Sequence, residues 1–218
     1  MDNIKSFVEN DSVINAIVKC ICSKFKDATA PKLIAVGGPG GCGKSSFCMM
    51  LSNALESSSI LPLDNYRIPR NEREQRKRHG SHPDANRIDL LLEHIDKLHQ
   101  GKQINCPVYD TVTGTVMSDK PFTPKQFVLL DGEIATYAQI VTRCDFSIHL
   151  DAAPEDLFAR RVKRDTEQHR YSLEKIRSVF EQSIHDNQTF GVYGKQHADI
   201  NLVCNDDFRI EIIDIRCM

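Results

Sequence analysis

The residues Gly38-Pro39-Gly40-Gly41-Cys42-Gly43-Lys44-Ser45 satisfy the pattern G-x-x-x-x-G-K-[ST] at every fixed position. That spacing suits one kind of chemistry, the holding of a chain of phosphate groups. Glycines let backbone N–H groups close around phosphate oxygens with no Cβ in the way. A helix opening at Lys44 would add the partial positive charge of its N-terminus. Lys44 would reach the β- and γ-phosphates, and the Ser45 hydroxyl would ligate Mg²⁺. The candidate phosphate-binding set is therefore Gly38, Gly40, Gly41, Cys42, Gly43, Lys44, Ser45 and Ser46. The plain alternative is a glycine turn that happens to precede Lys-Ser.

Two carboxylates stand where such a loop needs acids. Asp131 ends the apolar run Val128-Leu129-Leu130 and is the candidate for the magnesium shell, beside Ser45. Asp64 ends the run Ile60–Leu63. If that strand lies beside the loop's own strand, Asp64 faces the γ-phosphate and can take a proton from a substrate hydroxyl. Either could instead be an ordinary acid in a turn. No N-K-x-D or T-K-x-D box follows the loop, and the fragment Lys24–Asp27 precedes it. The absence favours ATP and phosphotransfer over a guanine-nucleotide switch.

These groups need elements to carry them. Leu33, Ile34, Ala35 and Val36 form an unbroken apolar run ahead of the glycine loop, as in a parallel strand buried on both faces. Ile60–Leu63, Phe127–Leu130, Phe146–Leu150 and Ile200–Val203 are four further strand candidates. Between them lie helices. Asp11 can cap one with apolar positions Val13, Ile14, Ile17, Val18 and Ile21. A second runs from Lys44 to about Leu55. A third carries Ile88, Leu91, Leu92, Ile95 and Leu98 on one stripe. A fourth opens at Pro154, with Glu155 and Asp156 at its positive end. The alternation predicts an α/β fold with a mostly parallel, five-stranded sheet flanked by helices.

The chain has 218 residues, 40% of them apolar and 27% charged, which suits one large soluble domain with a real core. A net charge of -2 gives no general pull toward nucleic acid or membrane. No apolar run approaches the ~18 residues of a membrane span. Met1 to Glu9 carry three charges, and no secretory leader is expected. The eight cysteines, Cys217 among them, include no C-x-x-C pair and are expected as reduced, cytoplasmic thiols. Two stretches are locally basic. Arg67 to His82 holds six Lys or Arg against two acids, and Arg160 to Arg170 holds five against two. Each is either a solvated helix face or a surface for phosphates.

The order of these landmarks resembles the uridine kinase and phosphoribulokinase family of P-loop kinases, from about Lys32 to Val203. Leu63-Asp64-Asn65-Tyr66-Arg67 is similar to the family's Asp-Ser-Phe-Tyr stretch. His82-Pro83-Asp84-Ala85 and Pro107-Val108-Tyr109-Asp110 match its His-Pro-Asp-Ala and Pro-Val-Tyr-Asp. Leu129-Leu130-Asp131-Gly132 stands where the family has Glu before Gly. Arg160-Arg161-Val162-Lys163-Arg164-Asp165 resembles its lid, here about 157–171, and His197-Ala198-Asp199-Ile200 its late strand entry. The resemblance implies a P-loop fold with a mobile helical lid, ATP and Mg²⁺, and a small-molecule acceptor. It implies Asp64 as base, Lys44, Arg161 and Arg164 around the transferring phosphate, and Arg67 and Tyr109 at the acceptor. It implies neither nucleic-acid nor membrane partners, and leaves a homo-oligomer open. His82 is expected to cap a turn.

The nucleoside contacts of the family are replaced. Ser81 stands for an acid, Thr111, Gly114 and Val116 for an aromatic, His and Arg, and Val179 for Gln. Arg67 replaces a Tyr. The acceptor is therefore a nucleoside by family name, or another metabolite such as a sugar phosphate or small acid. A nucleotide-binding regulator without transfer is the third reading.

Overall fold

A computed structural model of the chain describes residues 2–169 and 171–216, with the side chains of 10–167 and 171–216. Arg170 and Cys217 lie outside the described residues. The elements are α1 Asp2–Lys24, β1 Lys32–Gly37, α2 Lys44–Ala54, β2 Ser58–Pro62, α3 Arg70–Gln75, α4 Ile88–His99, β3 Ile104–Asp110, β4 Thr115–Phe122 and β5 Phe127–Asp131. There follow α5 Ala138–Val141, β6 Phe146–Asp151, α6 Pro154–His169, α7 Leu173–Phe190, α8 Val192–His197, β7 Ile200–Cys204 and β8 Ile210–Ile215.

The main sheet has six strands in the order β2-β5-β1-β6-β7-β8. The five expected strands form its parallel part, and β8 adds an antiparallel edge on β7. The sixth strand corrects the expected five. Ile210, Ile212 and Ile215 of β8 pack on the core while Glu211 and Ile213 face solvent, and so short a half-buried edge lacks the continuous apolar run of a central strand. Strands β3 and β4 form a separate antiparallel hairpin. Most of β4 is exposed, so neither pattern marked it.

Side chains leave the parallel strands alternately toward two core layers. Ile34, Val36 and Leu129 pack with Ile14, Ile17 and Ile21 of α1 and Phe47 and Leu51 of α2. Leu33, Ala35, Val128 and Leu130 pack with Leu91, Ile95 and Leu98 of α4. The expected stripe of α4 is thus its core face.

Helix α1 begins well before Asp11, which sits exposed within it and caps nothing. The helix continues across this point because Asn10 is tied down. Its Nδ2 donates to Phe208 O at 3.0 Å and its Oδ1 accepts from Ile210 N at 2.8 Å. Cys20 is in a disulfide, contrary to the expectation of reduced thiols, whereas Cys22, Cys42, Cys48, Cys106, Cys144 and Cys204 are free. Spacing along a chain shows only near neighbours, and a fold can pair a thiol with a remote one. Among the described residues no helix is long and apolar enough to cross a membrane.

His149, in β6, is 2% exposed, and its Nε2 has no hydrogen-bond partner. Burial pushes its imidazole down to about 4; the Asp151 carboxylate opposes this, while Lys195 and Lys44 add to it. Thr136 Oγ1 lies 3.3 Å from its Nδ1. Between the ordinary imidazole value and the folded one, only the unfolded chain takes up this proton. Stability therefore falls as pH drops from about 6.5 toward 4. At pH 5 the expected loss from this one group is about 2 kcal/mol. Urea unfolding at pH 7 and pH 5 checks it: the loss in His149→Gln should be smaller than in the wild type by that amount. Equal losses in the two proteins would refute it.

Candidate active site

The glycine loop joins β1 to α2 at the C-terminal edge of the sheet. Helix α2 opens on Gly43, in the left-handed region at φ 96°, with no side-chain cap. Its first-turn N–H groups are left for a ligand rather than for the protein itself. Gly38 has φ 136°, and a Cβ there would lie 1.8 Å from Leu150 O. Lys44 Nζ donates to Gly38 O and Pro39 O at 3.0 and 2.9 Å, which fixes the ammonium beneath the loop. Burial acts to lower the Lys44 ammonium, but Cys42 and the carboxylates Glu133, Asp131 and Asp64 outweigh it and hold it above its ordinary value. It stays charged.

A cleft of about 510 Å³ opens over the loop, lined by Gly40, Gly41, Gly43, Lys44, Ser45 and Ser46. That volume is in the range of small-molecule sites. Cys42 does not share in the lining. Its side chain is wholly buried, and its N–H donates to Pro39 O at 3.3 Å, so this member of the expected set packs the loop from within. Gly38 likewise shapes the loop and does not line the cleft.

Asp131 ends β5 directly beside the loop. Burial pushes its carboxyl up, and the Ser45 hydroxyl, the charge of Lys44 and the Cys48 thiol pull it back. A half-desolvated carboxylate beside a hydroxyl is a fitting donor pair for Mg²⁺, which keeps most of its shell for water and phosphate oxygens. Among the described residues there is no cluster of three or more His, Cys, Asp or Glu suited to a more demanding metal.

A second cleft of about 300 Å³ adjoins the first. Asp64, Arg67, Glu133, Arg161 and Arg164 line both. Asp64 sits on a short 3₁₀ turn, Leu63–Tyr66, just beyond β2, which lies not beside β1 but one strand away, with β5 between them. Its Oδ1 accepts from Arg67 Nη2 at 2.7 Å. Arg67 lies against Gly80, where a Cβ would come within 2.6 Å of its Nε. That buried Nε has no partner. Arg161 and Arg164 approach from α6, and both donate to the buried Asp165, at 3.3 and 2.7 Å. Tyr109 lines the second cleft, and its hydroxyl accepts from Arg73 Nη2 at 2.6 Å. Burial first, and the charge of Lys175 next, hold the His79 imidazole there below its ordinary value, against the pull of Asp186.

All the residues expected to do chemistry thus meet at one edge of the sheet. Two groups were missed. Glu133 lies at the junction and accepts from Ser183 Oγ at 2.7 Å. It is two residues past Asp131, and counting on from the strand end could have found it. Arg73 is, in the sequence alone, only one charge in the basic run from Arg67 to His82. Arg70, from the same run, spends its guanidinium on Val112 O and Thr111 O in the β3–β4 turn, at 3.1 and 2.5 Å. His82 caps its turn as expected, its Nδ1 accepting from Asp84 N at 3.1 Å.

Residues 33–210 match the model of the phosphoribulokinase / uridine kinase family. The chloroplastic phosphoribulokinase of Spinacia oleracea is 30% identical over 189 residues, covering 77% of this chain and 47% of that protein. The chain thus spans about half the length of the plant phosphoribulokinases it matches. The uridine kinase of Salmonella paratyphi A is 28% identical over 192 residues, covering 83% of this chain and 90% of that one. Among solved structures, the D-glycerate 3-kinase of Cryptococcus neoformans superposes with a TM-score of 0.71 at 11% identity, covering 93% of this chain and 98% of that one. This last likeness is one of fold.

Gly38→Ala combines a disfavoured φ with a collision against backbone, and should cost at least ~1–3 kcal/mol of stability. Denaturant unfolding of the variant checks this. A midpoint equal to that of the wild type would contradict the loop geometry.

Proposed function

The chain belongs to the phosphoribulokinase / uridine kinase family, and we propose that it transfers the γ-phosphoryl group of ATP to a hydroxyl of a small, negatively charged acceptor. Kinases of this family use ATP with Mg²⁺. The observation that carries the reading is the junction of two clefts, one over the phosphate loop and one basic, at Asp64, Arg67, Glu133, Arg161 and Arg164. A phosphoryl donor in the first and an acceptor in the second would meet there.

Little covalent work falls to the protein in such a transfer; it positions the partners and stabilises charge. The loop N–H groups and Lys44 hold the donor's phosphates. Ser45 and Asp131 hold the magnesium, which when bound neutralises charge on the phosphate oxygens. Asp64 accepts the proton of the acceptor hydroxyl. Its pairing with Arg67 keeps the carboxylate oriented and leaves one oxygen for that proton. Arg161 and Arg164, braced by Asp165, meet charge on the transferring group.

The acceptor's negative charge is inferred from the second cleft. Arg67, Arg73, Arg78 and Lys175 all line it. Cations gathered on one concave surface draw a ligand of opposite charge. A nucleoside is the second reading, supported by the likeness to uridine kinase along 90% of that protein. Against it, Ser81, at the place of a ribose-binding acid, donates to the buried Asp186 at 2.7 Å, and Val179 offers no hydrogen bond. A site without the matching polar groups cannot select for them. The third reading, a regulator without transfer, gains nothing from an intact Lys44, Ser45, Asp64 and Asp131.

If Asp64 is the base, Asp64→Asn lowers kcat by roughly 10²-fold or more, while the KM for ATP changes little. Loss of ATP binding in that variant would instead place Asp64 with the metal.

Steady-state kinetics with matched acceptors, a sugar phosphate, the free sugar, a small hydroxy acid and uridine, decide the acceptor class. The charged compounds should do best. A kcat/KM for uridine above about 10⁴ M⁻¹s⁻¹, ordinary for a cognate substrate, would overturn the anionic reading.

A further inference from the structure

Three polar atoms from three elements converge on one point beside Gly40. A Cβ built on that glycine would lie 3.3 Å from Arg161 Nη1, 3.5 Å from Glu133 Oε2 and 3.7 Å from Ser183 Oγ. Arg161 comes from α6, Ser183 from α7 and Glu133 from the segment that follows β5. Glu133 and Arg161 line both clefts, so the point lies at their junction. A side chain at position 40 would enter this space, and glycine keeps it open.

The charges about the point are unlike, and both are held in place. Arg161 is mostly buried, and its Nε donates to Asp165 Oδ2 at 3.3 Å. Ser183, itself 2% exposed, donates to Glu133 Oε1 at 2.7 Å, which leaves Oε2 on the side of Gly40. Burial lowers the Arg161 guanidinium, and Glu133 is the carboxylate that most opposes this, ahead of Asp165. Among the carboxylates around Lys44, Glu133 again acts more strongly than Asp131 or Asp64. The kinase reading gives Asp131 to the metal and Asp64 to the acceptor, and leaves Glu133 without a task. Yet a terminal phosphate set on Lys44 and Arg161 must come to rest beside this fixed negative charge. Like charges a few ångströms apart repel, and more so in a part-buried cleft than in water.

We propose that Glu133 is a positioning residue that stands in for the terminal phosphate: it holds Arg161 and Lys44 as their counter-charge while the site is empty, and a triphosphate has to outcompete it for them. The inference rests on the kinase reading above and adds to it a carboxylate set against the donor's last phosphate. A diphosphate ends short of Gly40 and does not meet it. The two cations are thus aimed in advance at the place where the phosphoryl group arrives, which lowers the entropy lost on binding. The cost of this arrangement falls on the triphosphate and not on the diphosphate.

The test separates the last phosphate from the other two. Calorimetric titrations with ATP and with ADP, each with Mg²⁺, are run on the wild type, Glu133→Gln and Ser183→Ala. Glutamine keeps the size and still accepts from Ser183, so it removes the charge alone. Glu133→Gln should bind ATP roughly tenfold more tightly than the wild type, and ADP within about twofold of it. Binding of ADP also checks that the variant is folded, and a merely structural role would not split the two nucleotides. Ser183→Ala keeps the charge and should bind ATP within about threefold of the wild type. An unchanged ATP affinity in Glu133→Gln would overturn the assignment, and so would a gain of equal size for ADP, which needs only a general change of charge. A loss of ATP affinity would also sink it, by placing Glu133 with the magnesium. If Ser183→Ala copied Glu133→Gln, the packing of α7 and not the charge would be the cause, and the inference would fall. A wild type that binds both nucleotides leaves the kinase reading standing whatever the variants do; one that binds neither defeats both.

Discussion

The parallel pairing of β1 with β5 runs from Lys32 opposite Phe127 to Val36 opposite Asp131. This register is the constraint on which the site depends. Strands that run parallel end at the same edge, so the glycine loop leaving β1 and the carboxylate ending β5 emerge side by side. Pairing of β2 with β5 sets Pro62 opposite Asp131, and the turn bearing Asp64 follows at once. A slip of two residues would keep every side chain on its own face yet move Asp131 by about 6.6 Å along the strand, away from its place beside Ser45. The core opposes it, because Asp131 shares a face with Leu129 and such a slip would set its carboxylate among Ile34, Phe47 and Leu51.

Given that frame, the difficulty of the site is its charge. Many basic groups converge on two small clefts, and several of them are met by a nearby acid or carbonyl. Asp165 serves both Arg161 and Arg164, Asp64 serves Arg67, and backbone carbonyls serve Arg70. These partners hold long side chains at fixed angles, which lowers the entropy lost when a phosphate arrives. The Nε of Arg67 is left out of the compensation. The guanidinium is held instead through Nη2, which meets Asp64 at 2.7 Å.

How far the sequence could be read follows from what each element has to do. The five parallel strands are buried on both faces and therefore appear as unbroken apolar runs, visible without any partner. The glycine loop is legible because its chemistry dictates residue types at fixed spacing. Strand β8 and the β3–β4 hairpin are held by pairing along an edge, and edges leave little mark on composition. Glu133 and Arg73 gain their meaning only when α7 and β3 fold against them, at Ser183 and Tyr109. Phe208 sits among Asp206, Asp207 and Arg209 and looks like an ordinary polar loop. Its left-handed backbone is set by Asn10, 198 residues away. Asp11 looked like a cap because local pattern cannot see that a helix is pinned by a remote turn.

The strand order also bears on how the chain is made. Strand β1 lies between β5 and β6, and both are still unsynthesised when the glycine loop leaves the ribosome. Roughly 90 residues separate Gly37 from Phe127, which at ribosomal speeds of about 5–20 residues per second is a delay of roughly 5–20 s. During that interval β1 is a short apolar strand with two unsatisfied edges, and α1 and α2 have no sheet to cover. The Asn10 clamp must wait for Phe208 and Ile210, about 200 residues later. The nascent segment from α1 to α2 is therefore a natural client for a chaperone that holds apolar segments, and slow codons before β5 would lengthen its exposure.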